Sequence, residues 1–216
     1  MTNMPNGDTG SGNSSGKKTN EELAGEGQQE WLDFPNLVGT HLSWRRRGIR
    51  TVELVAADGS VWAAIDNRGA DLFRNTEIHA DGRIFEVRQR KELKARIKDV
   101  VDMQTGETVM GITGRHYNRR GDTKAALSDQ GSLEFPVRGS GPRKAVMYAI
   151  DEKGCVLIRY RLKKPTVGDW LAGRVMSVTR VEVVVSPIAM AMPIRSVLVA
   201  ASSKLLVSYF QHPSGG

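Results

Sequence analysis

A single cysteine, Cys155, occurs in the 216 residues. It excludes an internal disulfide and fits a reducing compartment. Aromatic residues make up 6%, whereas binders of single-stranded nucleic acid interleave aromatics with basic residues to stack bases. Tyr117, near Arg115 and Arg119, is the one local hint of such a platform. No apolar run reaches the ~18 residues of a membrane-spanning helix. No basic start followed by an apolar stretch marks a secretory signal, so the expected location is cytoplasmic.

Catalytic and metal motifs are missing as well. His41, His79, His116 and His212 are scattered, none at ligand spacing with cysteine or carboxylates, and no metal site is expected. Asp99, Asp102 and Glu107 lack the alternation and central glycine of a calcium loop. Gly139 to Lys144 misses the phosphate-loop spacing and precedes a strand pattern where that motif needs a helix. Gly12-Asn13-Ser14-Ser15-Gly16 matches a nucleophile-elbow pattern but has neither the strand before it nor the helix after it. Cys155 has no partner base and reads as a buried strand residue. The chain is expected to be no enzyme and to need no cofactor.

What the chain does have is basic charge, unevenly spread. Residues 1–30 hold two lysines against five carboxylates, so they carry −3 and the remainder +10 of a net +7. Those thirty residues are rich in Gly, Ser, Asn and Glu, with Leu23 their one branched aliphatic residue. They offer too little apolar surface to offset ordering entropy and read as a disordered acidic tail. The folded domain is expected over 31–212, with Trp31, Leu32, Phe34 and Leu37 as its first anchors.

From His41 onward the pattern is one of short strands and tight turns. Asp58-Gly59, taken as a two-residue loop, sets Ala56 against Val61, Leu54 against Ala63 and Val52 against Ile65, all on one face. Asp81-Gly82 likewise sets Ile78 against Phe85. Leu93, Ala95, Ile97, Val101 and Met103 alternate with Lys94, Arg96 and Lys98; a helix is the alternative, but the turn at Gln104-Thr105-Gly106 followed by TVMGIT favours a third hairpin. Residues 132–138 alternate around Pro136, the mark of an edge or irregular strand. A long hairpin spans 145–162, and 174–185 reads as the last strand, with Val175, Val181, Val183 and Val185 on one face.

Beyond Pro187 the pattern changes. A helix is expected over about 190–210, and from Arg195 onward, past the break at Pro193, apolar residues cover almost its whole circumference, interrupted by Arg195 and Lys204: Val197, Leu198, Val199, Ala200, Ala201, Leu205, Leu206, Val207, Tyr209 and Phe210. A helix apolar all round is buried on every side. Consecutive hairpins plus a helix needing complete burial predict a mainly β fold, a closed antiparallel barrel of about 10–12 strands enclosing the C-terminal helix. A sandwich with the helix packed on one end is the alternative.

This layout resembles the tubby-like superfamily of tubby C-terminal domains, LURP-one-related proteins and phospholipid scramblases. The resemblance is carried by VEVVVSPIAM running into IRSVLVAASSKLLVSYF, and by the hairpin KAVMYAIDEKGCVLIRYR. It implies a twelve-stranded barrel around the helix and, from tubby domains, anionic phospholipid headgroups bound by surface cations. The acidic calcium segment that scramblases carry near the terminal helix is not matched, because residues 180–195 hold Glu182 as their one carboxylate.

The basic clusters are the functional signal that remains. Arg45-Arg46-Arg47, Arg115 with Arg119-Arg120, Arg143-Lys144 and Lys163-Lys164 are candidate anion or lipid sites. The expected function is non-enzymatic binding of a membrane surface or phospholipid headgroups, with peripheral association from the cytoplasm. Nucleic-acid binding and a protein-interaction scaffold are the alternatives.

Overall fold

The computed structural model describes residues 29–67, 76–92, 95–113, 123–128, 131–138, 145–171 and 177–211. The chain enters through α1 (described over 29–33) and a 3-10 turn, Phe34–Asn36. Eight strands follow in order: β1 (Thr40–Arg46), β2 (Thr51–Ala56), β3 (Val61–Asn67), β4 (Thr76–Ala80), β5 (Arg83–Glu92), β6 (Ala95–Asp102), β7 (Thr108–Thr113) and β8 (Lys124–Leu127). Next come β9 (Gly131–Glu134), β10 (Val137–Arg138), β11 (Val146–Asp151) and β12 (Val156–Leu162). α2 (Val167–Leu171) and a 3-10 turn, Val178–Arg180, lead to β13 (Val181–Val185), then α3 (Pro187–Met190) and α4 (Arg195–Gln211).

All pairings are antiparallel between chain neighbours, except that β13 pairs β1 and β11 pairs β9. Those two pairings close the sheet into a barrel of twelve strands. β9 and β10 are two halves of one position, both on β11 and interrupted at Phe135-Pro136. Pro136, with no N–H to give, produces the irregularity expected of it.

The two Asp-Gly turns differ. Asp81 and Gly82 both have positive φ, 51° and 74°, as a two-residue hairpin loop requires, and Ile78 stands opposite Phe85. At Asp58-Gly59 the expected register holds for Val52–Ile65 and Leu54–Ala63 and then shifts, so that Val61 faces Val55 and not Ala56. The loop is longer than two residues. Ala56 N–H donates to Ser60 O and Gly59 N–H to Ala56 O, with φ +85° at Gly59, and the extra residue is absorbed as a bulge.

β6 departs from the expected faces. Phe85 pairs with Asp102 and Val87 with Val100, so the inner face is that of Lys98, Val100 and Asp102. Ile97 and Val101 are buried outside the central core, and Met103 is half exposed in the turn. Pairing with β5, fixed by the turn at 81–82, overrides the apolar alternation. Three further corrections concern bounds. The last strand is Val181–Val185, shorter than 174–185, and Val175 lies outside the described residues. The apolar segment is two helices, broken ahead of Ile194 by Pro193, so the core helix begins at Arg195. Cys155 is exposed in the β11–β12 turn, where its N–H donates to Asp151 Oδ1 at 2.7 Å. Of the expected anchors, Phe34 is buried and Leu32 is exposed.

α4 fills the barrel. Every residue from Ser196 to Lys204 is buried, and Val197 to Ala201, Leu206 and Val207 share one core with side chains of every strand from β1 to β13 except β10 and β6's outer face. Each large aliphatic buried this way contributes about 1.5–3 kcal/mol. Its polar side chains are satisfied locally: Ser203 donates to Val199 O at 2.8 Å, and Ser202 donates to Leu198 O and meets the Tyr160 hydroxyl, both at 2.5 Å. Two contacts fix its direction. Ser196 donates to Asp81 Oδ1 at 3.0 Å near the helix start, and Lys204 Nζ donates to Thr76 Oγ1 at 2.8 Å, at the opposite end of β4.

Candidate functional site

In an up-and-down antiparallel barrel, successive connections alternate between the two ends. Those after β1, β3, β5, β7, β10 and β12 share one end, and those after β2, β4, β6, β8 and β11 share the other. Every candidate cluster belongs to the first set. Arg45-Arg46-Arg47 ends β1, and Lys163-Lys164 follows β12. Arg115, Arg119 and Arg120 lie outside the described residues, as do Arg143 and Lys144. The strand ends that flank them, Thr113, Lys124, Arg138 and Val146, stand at this same end. The connections of the second set carry Asp58, Asp81, Glu107 and Glu152, against Lys153 alone among the described residues. The barrel therefore has a basic end and an acidic end.

Not every candidate cation is free. Glu53 on β2 stands opposite Arg45, is buried, and joins Arg45 at 2.9 Å and Arg47 at 2.8 Å. Burial works against its charge, but the Arg45 hydrogen bond and the Arg47 charge outweigh that, and its pKa lies below the ordinary carboxylate value. Lys163 pairs with Glu182 at 3.0 Å, and Arg161 pairs with the same carboxylate. Here too burial raises the pKa, and the Arg161 and Lys163 contacts more than reverse it. Arg46 and Arg50 are exposed and make no ion pair among the described residues.

The entry segment covers the outer face of β12. Arg161 lies over the rings of Phe34 at 4.5 Å and Trp31 at 5.4 Å, and donates to Trp31 O at 2.8 Å. Lys164 lies over the same Trp31 ring at 5.5 Å, and Glu30 pairs with Arg159 at 2.6 Å. A cleft of about 380 Å³ beside α1 is lined by Glu30 and Asp33 as well as Arg138 and Arg159, so its charges offset one another.

α2 stands on the basic end. It is held by a capping box: Thr166 N–H and Oγ1 both donate to Asp169 Oδ2 at 2.9 Å, and Asp169 N–H donates to Thr166 Oγ1 at 3.2 Å. The Asp169 charge also acts on buried Arg180, whose guanidinium burial otherwise pushes down in pKa. None of its five residues is buried.

Four features were missed from the sequence: Glu53 and Glu182 as partners, Arg50 as a free cation, and α2. Connection parity was a readable signal. Once consecutive hairpins are accepted, the basic clusters fall on alternate connections and the Asp-Gly turns on the others.

Among the described residues no group of three or more His, Cys, Asp or Glu is placed to hold a metal ion, and no helix is long and apolar enough to cross a membrane. Compared with protein-family models, with curated proteins and with solved structures, the chain matches none of them.

Proposed function

We propose that this protein is a non-enzymatic, tubby-like barrel that binds anionic membrane surfaces through phospholipid headgroups, using its basic end. The observation that carries this reading is the separation of charge: Arg46 and Arg50 are free at the end where every basic cluster originates, while the opposite end presents carboxylates. A cation near an anionic bilayer gains about 1 kcal/mol, so a few on one face are enough for reversible docking. The field of one charged end also orients the approach, because the acidic end is repelled.

The test is co-sedimentation of the purified protein with vesicles of phosphatidylcholine alone and with added phosphatidylserine or phosphoinositide. Binding is expected only with the anionic lipids. It should fall steeply with salt, since exposed charges are screened over about 8 Å at physiological ionic strength. Arg46→Ser with Arg50→Ser should weaken it without changing the melting temperature. Arg45 and Arg47 are poorer targets, because removing them leaves Glu53 buried without its partners. Micromolar binding of single-stranded or duplex oligonucleotides with no vesicle association, at matched salt, would replace this reading with nucleic-acid binding.

A further inference from the structure

α2 carries an apolar stripe with nothing packed over it among the described residues. Val167, Trp170 and Leu171 fall at helical spacings of three and four and so share one face, and they are 76%, 58% and 86% exposed. Leaving such side chains in water forgoes the burial that normally justifies them, yet the capping box at Thr166 and Asp169 holds the turn in helical form. Around the rim, β13 separates β12 from β1, and the β1–β2 connection presents Ile49, 91% exposed, between Arg47 and Arg50. Lys163 and Lys164 precede α2, separated from it by Pro165 and Thr166. Apolar tips, one of them tryptophan, set among cations are complementary to one kind of partner: an anionic bilayer, whose headgroups take the cations and whose interfacial layer takes the tryptophan and the aliphatics.

Exposed apolar side chains also occur at the acidic end, where Val38, Val61, Ile84, Met103 and Ile188 come from five separate segments. They form no stripe and stand at the end that bears Asp58, Asp81 and Glu107, which an anionic surface repels. A nucleic acid would pair with the arginines but offers no partner for Ile49 or Leu171.

We infer that the protein docks with its basic end against the membrane and inserts the α2 stripe of Val167, Trp170 and Leu171, with Ile49, into the interfacial layer of an anionic bilayer. This rests on the membrane reading above and adds to it the face, the orientation and an apolar contribution that salt does not screen. The barrel axis then stands toward the bilayer with the C-terminal end of α4 nearest to it and exposed Cys155 on the far side.

Two measurements on the full chain test this. In vesicles containing phosphatidylserine and bromine-labelled acyl chains, tryptophan fluorescence of the wild type should be quenched, and Trp170→Phe should remove that quenching while Trp31, Trp44 and Trp62 remain. Val167→Ser with Leu171→Ser should lower vesicle affinity about tenfold or more, with an unchanged melting temperature because both side chains are mostly exposed. A residual fraction of binding left at high salt in the wild type, after the steep electrostatic fall, and absent in this double variant would support the inference further. Anionic-vesicle binding that is unaffected by the double variant and unaccompanied by quenching at Trp170 would overturn insertion and leave electrostatic docking standing. A wild type that ignores anionic vesicles would overturn both.

Discussion

The two ends of this barrel are built from the same strands and differ in what the chain spends at them. At the acidic end the connections are short. Asp58-Gly59, Asp81-Gly82 and Gly106 supply turns with positive φ, and their carboxylates cap neighbouring N–H groups, as Asp58 does for Ser60 and Asp102 for Gln104. Charge there serves local structure. At the basic end four of the six connections are longer than any of these, one carries a separate helix, and the end holds cations that no turn requires, Arg46 and Arg50 among them. α4 agrees with this division: its N-terminus lies by Asp81 and its C-terminal half runs toward the basic end, each matching the sign its dipole favours. Charge at one end is used in folding, while the other end holds cations that folding leaves unused, which is what the proposed binding requires.

The most damaging way to break this comparison is to remove the helix that fixes both ends. Leu206→Asp or Val199→Asp places an unpaired charge among fully buried neighbours. That costs several kcal/mol against a typical stability of about 5–15 kcal/mol, so soluble, cooperatively melting protein should be lost. Next in size is Gly39→Ala at the acidic end. Gly39 has φ +148°, and a Cβ there would sit 2.4 Å from Val185 O. Strain of this kind costs about 1–3 kcal/mol, visible as a lower melting temperature, whereas vesicle binding of the folded protein should be unchanged.

Acid should separate the ends further. A carboxylate with a depressed folded-state pKa adds stability above its unfolded value of about 4.3 and loses it as the pH falls through the folded value. Glu53 and Glu182 are both of this type. Stability should therefore decline on the acid side below that value, and Glu53→Gln should flatten the decline. The smallest effect is also the most specific: Glu53→Gln weakens the hold on Arg45 and Arg47 and should strengthen binding to anionic vesicles severalfold.

Much of the fold was legible in the sequence because turn chemistry and alternation agree. Asp81-Gly82 fixes its hairpin residue by residue, and the apolar circumference of α4 requires a closed container. Legibility failed where tertiary pairing outweighed local pattern. The loop at Asp58-Gly59 is longer than its two strongest residues suggest, and Lys98 lies on the inner face because β5 dictates the register. Cys155 reads as strand, but the Asp151 carboxylate captures its N–H and extends the turn. The basic clusters were visible as sequence, but their common end depends on connection parity. Which of their cations are free depends on Glu53 and Glu182, carboxylates that strand pairing brings to them from the neighbouring strand.

The central claim is that binding depends on which end carries the charge and not on how much charge the protein has. The direct test is a variant that moves charge between ends at constant net +7: Arg46→Gln and Arg50→Gln at the basic end, with Glu107→Arg at the acidic end. Its melting temperature and its co-sedimentation with phosphatidylserine vesicles at physiological salt would be compared with those of the wild type. An unchanged melt and a large loss of vesicle binding are expected. Binding equal to the wild type would contradict the claim, because net charge alone would then explain the attraction.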